Sequence, residues 1–349
     1  MNKGLLVFLV AVTFLAGCDK PAAGGATTGV APDGQKLTVG VVFDSGGVGD
    51  KSFNDSAKAG LDKAEKELGI TPKTVASKNE GDYATNLDAM ASGGCQLVFA
   101  VGISQGNALE QVAKKYPQVK FAIVDGTVDA PNVRSLHFNE EQGSFLAGYL
   151  AALTTKTKKI GFVGGQELDL IKKFYAGYVA GAKTADPAVE ILPAKYVGNW
   201  ENQDLGKADA QQLFGTGADI VYHAAGRAGL GVIKAAEEQD KYAIGVDSDQ
   251  DGVAQGHVLT SMIKHVDEAV FGTISDVKKD AFTAGPKVYD LASGGVSLSP
   301  MTYTKDKIGP EALKKVDVVA ADIKSGKIKV PTTQGELDSY LASLPLKKA

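Results

Sequence analysis

Among its 349 residues the chain has only two cysteines, four histidines and one tryptophan, and it carries no excess of positive charge. Two cysteines cannot build a disulfide framework. His137, His223, His257 and His265 show neither HxxxH nor HExxH spacing, so they read as ordinary core or surface histidines and no metal site is expected. A formal net charge of −4, without a lysine or arginine stripe, argues against nucleic acid as a partner. Only 12 prolines stand beside 42 glycines, a balance that suits many strand-to-helix turns better than a disordered tract. The N-terminal apolar run, Leu5 to Ala16, would rise about 18 Å as a helix, short of the ~30 Å hydrocarbon core of a bilayer. With Lys3 as a positive flank, it reads as a signal peptide over residues 1–17.

What is present begins where that run ends. Leu15, Ala16, Gly17 and Cys18 resemble a bacterial lipobox. The resemblance implies diacylation of the Cys18 thiol, cleavage before it, and acylation of the new amino group. The alternative is a soluble secreted chain with a cysteine at its cleavage site. More than one acyl chain gives stable anchoring where a single chain is marginal, so the mature protein is expected to stay on a membrane, on its extracytoplasmic side. Residues 18–36 then read as a tether. From Asp19 to Lys36 the chain is rich in Ala, Gly, Thr and Pro without apolar period, and such a stretch reaches roughly 23 Å.

From Leu37 onward short β-branched runs alternate with helical patterns. The first set places strands at Leu37–Phe43, Lys73–Ala76, Gln96–Val101 and Lys120–Val124, with helices at Ser52–Leu68, Tyr83–Ala91 and Ala108–Lys115. After Asn132–Phe138 a second set runs from a helix at Glu141–Leu153 to a helix at Asp267–Lys278. Alternation of this kind means βαβ units on parallel sheets covered by helices. Two such sets predict an α/β chain of two doubly wound lobes with a ligand cleft and hinge between them. The expected division is 37–124 plus about 247–289 for the first lobe and 127–246 for the second. Residues 295–349 are more irregular and are expected to pack on the lobes or to form part of the hinge. Ligands of such sheets bind outside the carboxyl ends of the strands.

The loop from Asp44 to Ser52 superficially resembles two phosphate motifs and fails both. A P-loop needs glycine where Asp50 stands, and a dinucleotide fingerprint needs glycine where Ser52 stands; both also meet the wrong charge in Asp44 and Asp50. The loop suits a neutral ligand rich in hydroxyl or amine donors, or it is simply a turn that Asp50 caps ahead of a helix. Gly102–Gly106 is a literal G-x-S-x-G between a strand and a helix, with Ser104 as nucleophile; Asp219 or Asp247 with His257 or His265 could complete a triad. Otherwise Ser104 and Gln105 cap a helix or contact ligand from the cleft wall. Trp200 stands at a strand end, where it could stack on a planar ligand or lie between lobes as a partly buried residue. Phe53 has the same two readings, since it also begins the apolar face of its helix. Cys95 precedes a buried strand and reads as a small inert hydrophobe.

Together, Lys36–Asp44, Gly49–Asp55, Phe121–Asp125, Phe138–Gly148, Tyr196–Trp200, His223–Gly226, Ile244–Asp247, Ser261–Lys264 and Ile323–Pro331 resemble the basic membrane protein family of ABC-importer lipoproteins, purine nucleoside receptor type. The likeness covers nearly the whole mature chain. It implies a type I periplasmic-binding-protein fold with a purine nucleoside held between the lobes. In that pattern Phe53 and Trp200 sandwich the base, Trp200 standing where the family usually has phenylalanine. Asn54 and Asp125 bond the base, Asp247 and Lys264 the ribose hydroxyls, Gly226 adds backbone nearby, and Asp44 lies at the cleft edge. The expected protein is not an enzyme, needs no cofactor, is monomeric, and hands a nucleoside to a permease driven by an ATPase. The alternatives are a lipoprotein binding a sugar or other small polar molecule, with Phe53 and Trp200 stacked on a pyranose, and a hydrolase built on Ser104.

Overall fold

The computed structural model describes residue 1 and residues 36–344. The signal peptide, the lipobox with Cys18, and the tether up to residue 35 lie outside the described residues.

In chain order the first elements are β1 (Thr38–Phe43), α1 (Phe53–Leu68), β2 (Thr71–Ala76), α2 (Tyr83–Ser92), β3 (Leu97–Val101), α3 (Gly106–Lys115), β4 (Lys120–Val124) and β5 (Val133–Phe138). Next come α4 (Glu140–Thr154), β6 (Lys159–Gly164), α5 (Asp169–Ala185), β7 (Glu190–Ile191), β8 (Lys195–Tyr196), α6 (Gln203–Gly215), β9 (Ile220–Ala224), α7 (Gly229–Glu238), β10 (Tyr242–Asp247) and β11 (Val258–Lys264). The chain ends with α8 (Val266–Lys278), β12 (Gly285–Tyr289), β13 (Val296–Leu298), α9 (Lys305–Ile308), α10 (Pro310–Lys324) and α11 (Gln334–Ser343).

Two sheets result. The first has the order β2-β1-β3-β4-β5-β12, parallel throughout. The second has the order β7-β6-β9-β10-β11-β13, parallel except for β13, with β8 also paired to β6. Five strands of each thus repeat one doubly wound order, 2-1-3-4-5. Side-chain alternation explains the layers: Val39, Val41 and Phe43 of β1 join a core with Ala57, Leu61 and Ala64 of α1, while Val42 joins a second core with Leu87 of α2 and Leu109 of α3. A sheet buried on both faces needs apolar residues at every position, and β3 is buried along its whole length.

The division between the sheets corrects the expected one in two places. Val133–Phe138, placed beyond the first lobe by the 127 boundary, is the fifth strand of the first sheet, parallel to β4. Val258–Lys264, placed in the first lobe, pairs in parallel with β10 as the fifth strand of the second sheet. Asp247 and Lys264 therefore belong to the second lobe. A parallel strand that lies next to a crossing joins whichever sheet its register fits, and nothing local in its sequence names that sheet.

Three crossings join the lobes, through Asn139, His265 and residues 290–295. They are tied to one another, because Asn139 N donates to Tyr289 O at 2.9 Å and His265 N to Gly295 O at 3.0 Å. After the second crossing α8 packs on α1 of the first lobe, and after the third α10 and α11 pack on α4 and α5 of the second. The pair α4 and α5 lies so close that a Cβ added at Gly181 would meet the Phe145 carbonyl at 1.9 Å. Cys95 is buried and unpaired, and burial pushes its thiol up.

Candidate functional site

In an open doubly wound sheet the crevice opens where the chain turns in opposite directions from neighbouring strands. Here those points are the ends of β1 and β3 in one sheet and of β6 and β9 in the other. One cavity lies across both sets of strand ends. Asp44, Phe53, Asn54 and Asp125 line it from the first lobe, and Trp200, Gly226, Asp247 and Lys264 from the second. The sequence singled out all eight of these. It missed the apolar wall that Leu170, Ile171 and Phe174 contribute from the start of α5.

The β1–α1 loop is wound around its own carboxylates. Asp44 Oδ1 accepts from Gly46 N at 2.9 Å and from Asn54 Nδ2 at 2.8 Å. Asp50 accepts from the amides of Ser52, Asn54 and Asp55 at 2.9 to 3.1 Å, and from Asn54 Nδ2 at 3.0 Å. These are the orphan donors of the α1 N-terminus, so Asp50 serves as the helix cap. Its oxygens are taken up inside the loop, and it adds no free acceptor to the cleft. Asp44, expected at the cleft edge, is itself buried. Burial, with Asp50 close by, pushes its carboxyl up to about 6 against the pull of the Asn54 amide.

A buried charge cluster forms the floor. Lys264 Nζ donates to Asp125 Oδ2 at 2.6 Å and stands 3.2 Å from Glu140 Oε1, with its side chain 2% exposed. Lys173 Nζ donates to the other oxygen of Glu140 at 2.9 Å and to Phe138 O at 2.6 Å, and lies 3.1 Å from Glu141. Burial opposes ionisation of Glu140, but Lys264 and Lys173 hold its carboxyl below the usual carboxylate range. Burial pushes Asp125 up to about 6 in spite of Lys264, and works against the charge of Lys264, which Asp125, Glu140 and Asp247 nevertheless hold above its ordinary value. The aromatic rings of Phe53, Phe138 and Phe174 surround the same ammonium at 5.0 to 5.6 Å. Glu140 and Lys173 were not foreseen. Two acidic residues in the first turn of α4 suit the helix dipole, and nothing local sets Glu140 apart from its neighbour.

Asp125 and Asp247 hold equivalent places, each directly at the end of the fourth strand of its sheet, and both have left-handed backbones, φ 70° and 64°. That conformation is uncommon outside glycine and is worth maintaining where it aims a side chain. Asp247 Oδ2 accepts from Ser52 Oγ at 2.6 Å, and burial pushes its carboxyl up to about 7. Among the buried oxygens, Asn54 Oδ1 and Asp125 Oδ1 have no hydrogen-bond partner within the protein. Both residues line the cavity, so each leaves an acceptor that a donor in the cleft could satisfy.

Trp200 is seated against the β6–α5 turn, where a Cβ on Gly165 would come within 2.3 Å of its ring. Glycine there is what lets the indole lie on the backbone. Ser104 also lines the cavity, in a short 3-10 turn at Ile103–Gln105. No histidine among the described residues does so: His257 contacts Lys241 O, His265 contacts Asp267, and His223 is buried against Gln250. Gln105 is a structural clamp, its amide donating to the carbonyls of Val42 and Val101 at the ends of β1 and β3. The elements of a Ser-His-Asp triad are therefore not brought together, since no histidine among the described residues stands in the cavity with Ser104.

Comparison with known proteins agrees with a binding site. The chain is 38% identical over 318 residues to a CD4+ T-cell-stimulating antigen of Listeria monocytogenes, covering 84% of this chain and 88% of that one. It is 36% identical to an ABC transporter nucleoside-binding protein, BmpA, of Lactococcus lactis, covering 93% and 97%. A solute-binding protein of an ABC transporter system from Aeropyrum pernix superposes with a TM-score of 0.79 at 29% identity, covering 88% and 97%. These likenesses go with a type I periplasmic-binding-protein architecture and with no enzymatic activity. Residues 37–334 match the family model for PnrA-like ABC transporter substrate-binding proteins, and the chain belongs to that family of extracytoplasmic receptors, which bind small ligands and work with permease and ATPase subunits.

Proposed function

We propose that this receptor captures a nucleoside, closes its lobes on it, and presents it to the permease while a lipid on Cys18 holds it at the membrane. Phe53 and Trp200 stack on the two faces of the base. Asn54 and Asp125 accept its N–H donors, Asp247 and Lys264 engage the ribose hydroxyls, and Gly226 contacts the ligand through its backbone. Asp44 holds the Asn54 amide group in place by accepting from its nitrogen.

The observation that carries this reading is the pair of unpartnered buried acceptors, Asn54 Oδ1 and Asp125 Oδ1, in a cavity walled by aromatics from opposite lobes. A purine or pyrimidine offers a planar face and edge donors together, whereas a pyranose offers hydroxyls around its rim. The Lactococcus relative is named for nucleoside binding, which favours the same choice. Mass spectrometry of small molecules that stay with the protein through purification, followed by titration with a mixed nucleoside and sugar library, tests it. A nucleoside should co-purify. Retention of sugars alone would turn the site into a carbohydrate receptor.

Anchoring is tested separately. Cys18→Ala should abolish palmitate labelling and leave ligand affinity unchanged; undiminished labelling would remove the lipid from the account.

A further inference from the structure

The β1–α1 loop divides its backbone groups between the lobes. Four of its amides are taken by side chains of the loop and of the first turn of α1: Gly46 N by Asp44, Gly49 N and Lys51 N by Asp55, and Ser52 N by Asp50. Four of its carbonyls are taken from across the cleft. Arg227, which follows β9 in the second lobe, donates from Nε to Gly46 O at 2.7 Å and from Nη2 to Val48 O at 2.8 Å. Ser248 Oγ donates to Ser52 O at 2.9 Å and Gln250 Nε2 to Lys51 O at 3.1 Å. Gly47 and Gly49, with φ of 63° and 94°, supply the left-handed turns between these carbonyls.

Arg227 does not line the cavity, so its two bonds are made to protein and to no ligand. They join the lobes, and opening the cleft would break them. The loop they grip carries Asp44 and leads into Phe53 and Asn54. We infer that Arg227 is a closure clasp: a positioning residue that sets how long the lobes stay shut, whatever molecule lies between them. A contact present only in the closed form shifts the opening equilibrium, and the ligand then escapes in proportion to the open fraction. The inference rests on the capture-by-closure reading above but not on the identity of the ligand.

The test uses two readouts. In the first, spin labels at Lys78→Cys and Asp204→Cys, both exposed and on opposite lobes, report inter-lobe distances in ligand-free protein by pulsed electron resonance. A short-distance population should be present in the parent, be lost in Arg227→Ala, and be partly recovered in Arg227→Lys, which keeps one charged donor but not the fork. In the second, fluorescence of Trp200, the single tryptophan, follows inosine dissociation by stopped flow. Arg227→Ala should release inosine roughly 10- to 100-fold faster with association changed less than about threefold, the split expected when only closed-state bonds of a charged donor are lost. Identical distance distributions in parent and Arg227→Ala would overturn the clasp, as would an equal loss in association rate. A parent that ignores inosine counts against the nucleoside reading only, since the ligand-free distances still decide the clasp.

Discussion

The two lobes share a strand order and differ in what that order carries to the cleft. The first presents acceptors: Asp44, Asn54 and Asp125, beside a single ring, Phe53. The second presents Lys264, one carboxylate in Asp247, and a broad apolar wall of Leu170, Ile171, Phe174 and Trp200. The equivalent aspartates make the contrast sharpest. Asp125 is held by a lysine from the opposite lobe at 2.6 Å, while Asp247 has a serine hydroxyl at the same distance. Equal backbone placement with unequal partners gives two carboxylates different tasks. One is fixed as part of an ion pair across the cleft, and the other is poised near neutrality. Repeating a fold thus supplies the geometry, and a few substitutions at strand ends supply the chemistry.

Removing the ion pair is the strongest way to break this contrast. Lys264→Ala leaves Asp125 and one oxygen of Glu140 buried without their cation. The expected loss of stability is about 3–5 kcal/mol, as for other buried pairs deprived of one partner, measured by urea unfolding of the ligand-free protein. An unchanged midpoint would mean that the cluster is hydrated or already rearranged.

The aromatic asymmetry predicts the next effect. Trp200→Ala and Phe53→Ala should each weaken nucleoside binding by about 1–3 kcal/mol if a base stacks between them. Trp200→Phe should retain most of the affinity, because the π-face survives. Calorimetry showing both alanine variants binding like the parent would remove the sandwich.

The buried aspartates Asp247 and Asp44 also predict a pH dependence. Burial raises Asp247 to about 7 from the ordinary 3.8, so the fold favours its protonated form. Its contribution to stability is therefore full below the unfolded value and is lost as pH rises through about 7. Asp247→Asn should flatten the fall in ligand-free stability between pH 5 and pH 8, seen in unfolding curves at the two values. Asp44, raised to about 6, leaves a smaller dependence in the same direction. An equally steep fall in the variant would locate the titration elsewhere. The smallest effect belongs to Ser104, where Ser104→Ala should alter affinity by no more than about threefold.

Much of this was legible in the sequence, for physical reasons that also mark its limit. Alternating valines in β1 and the apolar face of α1 are local signals, and they placed both elements to within a residue. Residues just after strands are where doubly wound sheets bind, so Asp44, Asp125 and Asp247 could be singled out before any contact was known. The edge strands β12 and β13 were missed, being short and only partly apolar. The sheet joined by β5 and by β11 depends on register between distant strands, which no local pattern encodes. The cluster of Glu140, Lys173 and Lys264, and the grip of Arg227 on Gly46 and Val48, join residues from 33 to 181 positions apart. The cluster becomes visible only when the second lobe folds, and the grip of Arg227 only when the two lobes meet.

The central claim is that an acceptor-rich cleft takes nucleosides and refuses their phosphates. Paired calorimetric titrations of adenosine, guanosine and inosine against their 5′-monophosphates test it directly. At pH 8, where Asp44 and most of Asp247 are ionised, a phosphate brought near them, with the cleft closed and water excluded, should bind on the order of a hundredfold more weakly than the parent nucleoside, because like charges a few ångströms apart repel by several kcal/mol at an effective dielectric near 20. Monophosphates that bind as tightly as the nucleosides, or tighter, would contradict the account.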